Sequence, residues 1–416
     1  MTYKRGRVVE RDVVVTGIGA ITPLGADVAS TWAGLLAGES GIAVHALPAF
    51  EGAGLRPLVA GVMAADPADL VSPTQARRMD RSQQAALVAA AEAWADAGRP
   101  EVDPDRLAVA VGSAIGGVQT LLTQHDTLRT DGVRRVSPRT VPMLMPNAAA
   151  AQLSIEYDAR AGSYTPVSAC SSGAEAIAHA ARLIRAGEAD VVIAGGTEAA
   201  ITPVTVAGFL QARALTHHND DPASASRPFA ADRSGFVLAE GAALMVLESA
   251  QHARARGAHI HATLAGFGIA ADAHHITAPD PDGTGQVSAM RKALAQARLS
   301  PHDVDHVNAH ATGTAVGDAA EAHAIHEVFG PHATVTAPKA ALGHLFGAAG
   351  AIEALVAVLA VQHATTPPTR NLTAAAIDPA LGLDVVTVPR SASRPAVLSN
   401  SFGFGGQNVS LVVAQA

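Results

Sequence analysis

Short apolar, β-compatible runs alternate along this chain with longer alanine-rich segments, and that alternation constrains the fold more than any other feature. Residues 13–16 predict a buried strand that ends in a turn at Gly17 and Gly19. Residues 27–38 predict a helix with Trp32, Leu35 and Leu36 on its apolar side, and residues 81–98 a second helix closed by a glycine. A strand at 107–111, an extended run ending in Ser168 to Cys170, a helix over 171–187 and a strand at 191–194 follow. In that last helix Ala174, Ile177, Ala181 and Ile184 fall on one face. The pattern then restarts, with a strand at 260–265, a helix at 286–297 and a strand at 304–308. A helix capped by Asp318 and running through His326, a strand at 335–337 and a helix at 349–362 continue it. A hairpin of 396–399 with 409–413, joined by a glycine-rich loop, ends the pattern. Strands alternating with helices imply an α/β fold. The restart, and the charged stretch from Arg254 to Gly257, predict two halves, 1–257 and 258–416.

A length of 416 residues exceeds one ordinary core and suits two packed halves. Hydrophobic residues at 49% and charged residues at 16% place the chain among folded proteins. With aromatics at 3%, the core must rest on Ala, Val, Leu and Ile. A formal charge of -8 argues against a general grip on nucleic acid. One cysteine excludes an internal disulfide and a thiolate metal cluster, and points to a reducing cytoplasm. Met1 to Arg11 is polar and lacks the apolar centre of a signal peptide. The most apolar stretch, 348–361, contains Glu353 and is too short to span a bilayer, so no membrane association is expected.

Cys170 stands where an extended run meets a helix start, between Ala169 and the small residues Ser171, Ser172 and Gly173. Free amide N–H groups and the helix dipole there favour an anion and predict a lowered thiol pKa. Position alone leaves the residue open between a reactive nucleophile and a buried structural cysteine. His310, in Asn308-Ala309-His310-Ala311-Thr312-Gly313-Thr314, and His344, in Lys339-Ala340-Ala341-Leu342-Gly343-His344, both follow apolar segments at strand-to-helix turns. Side chains at such turns meet ligands in open α/β folds. With 18 histidines present, neither position is decisive alone. The last loop, Asn400-Ser401-Phe402-Gly403-Phe404-Gly405-Gly406, reads either as a plain hairpin turn or as backbone amides aimed at an oxyanion. A nicotinamide site at Gly17 and Gly19 is disfavoured, because Thr22 occupies the third small position and Pro23 follows. Zinc at His306 and His310 is disfavoured by the absence of a nearby carboxylate, and no metal is expected.

Together these segments resemble the β-ketoacyl-acyl carrier protein synthases of the elongating kind, from Val13 to Val413. The resemblance rests on Val167-Ser168-Ala169-Cys170-Ser171-Ser172-Gly173 and on Arg227-Pro228-Phe229 with Asp232-Arg233 and Gly235-Phe236-Val237. His310 to Asp318, Lys339 to Gly350 and Asn400 to Asn408 complete it, and all five pieces in order are specific. Residues 27–42, 134–147 and 303–322 look especially like the mycobacterial synthases that lengthen mycolic-acid precursors. The resemblance implies a thiolase-like fold, a five-layered α/β/α/β/α sandwich of two similar halves, and a homodimer. It makes Cys170 the acylated nucleophile, His310 and His344 the paired histidines, Lys339 their electrostatic support and Glu353 the lysine's partner. Backbone N–H groups of Cys170 and Phe404 would form the oxyanion hole. Phe404 would gate the acyl channel, with Ile115, Phe209 and Phe402 along it, while Thr312 and Thr314 would hold the phosphopantetheine arm.

The implied reaction is acyl transfer to Cys170, then decarboxylative Claisen condensation with malonyl-acyl carrier protein. No cofactor is expected, because the phosphopantetheine arm arrives on the carrier. The acidic carrier implies a basic dock, for which Arg77, Arg78 and Arg81, and Arg134 and Arg135, are the candidates. A second cysteine as in degradative thiolases is absent, and the asparagine of initiating synthases is replaced by His344. Two departures stand out. Phe346 occupies a position where many relatives carry smaller residues, and the stretch from Phe50 to Arg77 matches the mycobacterial synthases poorly. A ketosynthase of a dedicated polyketide or lipid pathway is the nearest alternative. A non-catalytic subunit shaping a partner's product is disfavoured by Cys170 with both histidines.

Overall fold

A computed structural model describes residues 12–46, 50, 53–55, 58–304, 306–332, 334–392 and 396–416. The polar start Met1 to Arg11 and part of the stretch from Phe50 to Arg77 lie outside the described residues. The first half contains β1 (Val13–Ile21), α1 (Arg81–Asp96), β2 (Leu107–Gly112), β3 (Gly162–Tyr164), α2 (Ser172–Ala186), β4 (Val191–Glu198) and β5 (Gly241–Ser249). The second contains β6 (Ala262–Ala271), α3 (Thr284–Ala297), β7 (His306–Asn308), α4 (Ala315–Phe329), β8 (Thr334–Thr336), α5 (Ala349–Gln362), β9 (Ala396–Gly403) and β10 (Gln407–Ala414).

The strands of the first half lie in the order β3-β2-β4-β5-β1, and those of the second in the order β8-β7-β9-β10-β6. The senses repeat as well. The pairs β2/β3 and β2/β4 are parallel while β4/β5 and β5/β1 are antiparallel. Likewise β7/β8 and β7/β9 are parallel, and β9/β10 and β10/β6 antiparallel. A short edge strand, Asp384–Val385, extends the second set beside β8. The two sets touch through β1 and β6, where Val14 faces Thr263 and Val15 faces Ala262.

Five layers result. Helix α1 covers β1 and β5, α2 and α5 pack together between the sheets, and α3 covers β6 and β10. In α2 the four positions with helical spacing, Ala174, Ile177, Ala181 and Ile184, are all buried. Each of the two isoleucines so placed contributes about 2 kcal/mol of burial. Helix α5 runs over Ala349–Gln362 as the sequence predicts, and no helix of the described residues is long and apolar enough to cross a membrane.

Three local expectations change. Gly17 and Gly19 lie inside β1, not in a turn after it. A Cβ at Gly17 would sit 2.1 Å from the Ala93 carbonyl oxygen, and one at Gly19 would sit 2.0 Å from that of Ala89. The glycines thus let α1 lie directly on the strand. The same device recurs in the second half, where Gly266 and Gly268 would place a Cβ 2.3 Å from Ala293 O and 2.0 Å from Ala289 O on α3. Asp318 does not cap a helix start, since α4 begins at Ala315. Its buried carboxylate instead accepts the N–H groups of Phe229, at 2.8 Å, and Gly313, at 3.0 Å. Finally, the run into Cys170 is not extended but a single tight 3-10 turn, Ala169–Ser171, with Ala169 held at φ 52°.

Candidate active site

The turn that carries Cys170 stands at the N-terminus of α2, facing the loops that follow β7 and β8 in the other half. Left-handed backbone at a residue with a side chain is strained and persists only where its surroundings fix it. Here the hydroxyls of Ser171 and Ser172 donate to the Ser168 and Ala169 carbonyls, both at 2.7 Å, and hold the turn. The loop after β9 covers it from the other side.

The sulfur of Cys170 lies 3.0 Å from His344 Nε2. The rings of His344 and His310 are 5.5 Å apart and nearly perpendicular, so both reach one volume beside the sulfur. Behind His310 the ammonium of Lys339 donates to the His310 carbonyl, to Glu353 and to His310 Nδ1, the last at 3.2 Å. All three ammonium protons are committed. Because Nδ1 accepts, the proton of neutral His310 must reside on Nε2, which leaves an N–H donor for the cavity. Burial, then the Lys339 charge, holds both imidazoles well below the usual histidine range, so both are neutral at neutral pH. Burial raises the Glu353 carboxyl to about 7, against the pull of the adjacent lysine.

The thiol departs from the sequence-based expectation. Burial pushes Cys170 up to about 11, outweighing the opposing pull of Lys339 and of the Phe404 N–H that points at the sulfur. Burying the charged form costs more than Lys339 and the Phe404 N–H return, and Glu198 and Glu353 add to that cost, so the free thiol is protonated. That Phe404 N–H nonetheless leaves a backbone donor beside any group bound to the sulfur.

A cavity of about 390 Å³ opens over the sulfur and is lined by Ile115, Phe209, Phe236, His310, Thr312, Thr314, His344, Phe346, Phe402 and Phe404, among others. Every residue that the resemblance assigned to substrate contact therefore meets here. Thr312 and Thr314 join hydroxyls at 3.1 Å, and the Phe402 ring lies 6.1 Å from His310. Lys339 and Glu353 sit behind the histidines, both buried.

The basic candidates stand apart from this cavity. Arg77, Arg78, Arg134 and Arg135 are exposed. Arg81 is tied to Glu240, at 2.7 Å, and to Asp66, at 2.8 Å, which neutralise its charge locally.

Two buried carboxyls escaped the sequence reading. Glu321 on α4 accepts the N–H groups of His310, at 2.8 Å, and Ala311, at 2.7 Å, and the Asn400 amide at 3.2 Å. It thereby fixes the His310 loop against β9. Glu198, at the end of β4, accepts from Ala114 at 2.6 Å and Gly347 at 3.2 Å, and so ties the His344 loop to the first half. Burial raises both to about 7. The only available sequence signal was a carboxylate three residues beyond Asp318 on the helix following His310.

Ligand atoms of Cys170, His310 and His344 lie within 4.8 Å of one another, a spacing a metal ion could bridge. The ammonium beside His310 opposes a cation there, and the set carries no carboxylate. His306 does not join it, since its buried Nε2 pairs with the Thr336 hydroxyl at 2.8 Å. The arrangement suits proton transfer and oxyanion stabilisation.

A duplicated five-layer sandwich with a cysteine in one half and two histidines and a lysine in the other defines a thiolase-like condensing acyltransferase. The chain belongs to the beta-ketoacyl synthase family, whose N-terminal domain model matches residues 10–253 and whose C-terminal domain model matches residues 261–373. It is 46% identical over 402 residues to the 3-oxoacyl-[acyl-carrier-protein] synthase 2 of Mycobacterium tuberculosis (strain ATCC 25618 / H37Rv), covering 96% of each chain. The synthase 2 of Coxiella burnetii is 42% identical over 415 residues, 98% of this chain and 99% of that one. Among solved structures, a type II PKS acyl-carrier protein in complex with its ketosynthase superposes with a TM-score of 0.89 at 29% identity, over 98% of this chain and 100% of that one.

Proposed function

We propose that this chain is an elongating β-ketoacyl-acyl carrier protein synthase of fatty acid synthesis. It takes an acyl group onto Cys170 and condenses it with malonyl-acyl carrier protein. The observation that carries the reading is the 3.0 Å contact of Cys170 Sγ with a neutral His344 Nε2, beside a His310 whose tautomer Lys339 sets. In the first stage the sulfur attacks the acyl thioester, and the proton it loses to His344 passes to the departing pantetheine sulfur. In the second, malonyl thioester loses carbon dioxide and the bonding pair becomes an enolate. Nε2–H of His310, and of His344 in its Nε2–H tautomer, donate to the enolate oxygen. The enolate carbon attacks the acyl-Cys170 carbonyl, whose oxyanion meets the N–H groups of Cys170 and Phe404. The carbon–sulfur bond then breaks, and the released thiolate takes up a proton.

Thr312 and Thr314 hold the pantetheine arm, and Ile115, Phe209, Phe402 and Phe404 line the acyl path. The carrier docks on Arg77, Arg78, Arg134 and Arg135. A ketosynthase bound to its carrier, among the similar folds, supports such a partner. The division near residue 257 makes two halves that join in one site, and the protein acts as a cytoplasmic homodimer. The 46% identity to a 3-oxoacyl-[acyl-carrier-protein] synthase 2, against 29% to a polyketide ketosynthase, favours fatty acid elongation over a dedicated polyketide pathway.

Intact-mass measurement after incubation with acyl carrier proteins tests this. Wild-type protein is expected to gain one acyl group, and Cys170→Ala none. An acyl adduct on the alanine variant would refute the assignment.

A further inference from the structure

Nine phenylalanines occur in this chain, and five of them line the cavity at Cys170. Three rings there form a column. Phe346 lies in its middle, stacked 5.0 Å from His344 with planes 28° apart, and 5.3 Å from Phe209 with planes 24° apart. Phe236 stands edge-on to the whole column, 5.3 Å from His344, 5.9 Å from Phe346 and 5.3 Å from Phe209. Phe346 is buried and adopts φ 47°, a conformation a bulky residue keeps only when its packing enforces it.

Beyond the column is a second apolar cavity of about 260 Å³, walled by Leu58, Val206, Leu210 and Leu215. It shares Phe236 with the first cavity, and Val206 and Leu210 come from the helix Pro203–Gln211 that carries Phe209. Phe346 packs in the same hydrophobic cluster as Leu58, Val206 and Leu215. Removing its ring would open a slot one ring thick between His344 and Phe209, beside the Phe236 ring that borders both cavities.

On the ketosynthase reading above, we propose that Phe346 is the stop that limits acyl length. The cavity at Cys170 takes short and medium chains, and longer ones are refused because the second cavity is walled off. Each methylene that finds apolar burial strengthens binding about fourfold. One that meets the column gains nothing and must displace a packed ring.

The test compares wild type, Phe346→Leu, Val206→Phe and the double variant, each incubated with carriers bearing saturated acyl groups of graded length. The readout is the ratio of long-chain to short-chain acylation of Cys170 by intact mass. A ratio cancels any uniform change in rate that follows from altered stacking on His344. The ratio is expected to rise about tenfold or more in Phe346→Leu. It should return toward wild type in the double variant, where a new ring fills the second cavity. Val206→Phe alone should keep the wild-type profile. An unchanged ratio in Phe346→Leu would overturn the proposal, as would wild-type protein that loads the longest chains as readily as the short ones. So would a shift toward shorter chains in Val206→Phe, since the second cavity would then already be in use. Absence of acylation at every length in wild type would instead strike the ketosynthase reading, and this inference with it.

Discussion

Cys170 is held as a thiol, not a thiolate, and its reactivity should report that directly. With the sulfur pushed up to about 11 by burial, the reactive fraction near neutrality is small. Only the deprotonated form is alkylated, so the rate at this residue should climb about tenfold for each unit of pH between 7 and 9. The sign follows from the direction of the shift, because raising the pH populates the thiolate and nothing saturates below the pKa. Iodoacetamide labelling followed by mass spectrometry measures it. A rate flat across that range would mean a standing thiolate–imidazolium pair with His344. The single cysteine makes the readout unambiguous. Neutral His310 and His344 agree with a resting site that separates no charge, leaving activation to the arriving thioester.

At the scale of elements, the close contacts of α1 with β1 and of α3 with β6 are one device used twice. Gly19→Ala and Gly268→Ala would each drive a methyl to 2.0 Å from a helix carbonyl, at Ala89 and Ala289 respectively. Each should cost about 1–3 kcal/mol or more, and the two costs should be alike. Urea unfolding of the two variants checks both statements. This repeat also shows what the sequence could and could not reveal. Periodicity located α2, whose apolar face is long and regular, while an unbroken apolar run located α5, which is buried on nearly every side. It misread Gly17 and Gly19 as a turn, since a glycine needed for helix approach and a glycine needed for a turn look the same in a row of letters. Cys170, His310, His344 and Lys339 were singled out only through the resemblance that their surrounding motifs carry in order, because position alone left each of them open. Glu198 and Glu321 were not, because a carboxylate becomes a loop anchor only when distant backbone amides fold around it.

For the whole molecule, the surface charge decides how a partner arrives. The protein carries a formal charge of -8, yet Arg77, Arg78, Arg134 and Arg135 project from it. If an acidic carrier docks on them, attraction acts over about 10 Å at 0.1 M salt and fades as salt rises. Acyl transfer from the carrier should therefore slow with increasing ionic strength, and Arg134→Glu should slow it further while flattening the salt dependence. Arg81→Gln should act differently, because Arg81 is bound to Glu240 and Asp66; its loss should appear in stability more than in salt dependence. A transfer rate indifferent to salt would remove the electrostatic dock.

A sulfur kept protonated is also shielded from oxidants, since peroxides attack the thiolate. The burial that keeps the Cys170 sulfur protonated should thus also slow its oxidation. That shield slows damage without repairing it. The chain contains no second thiol that could trap a sulfenic acid as a disulfide. A sulfenic acid that does form there finds no partner thiol within the chain, so its return to Cys170 depends on an external thiol arriving before further oxidation to sulfinic acid.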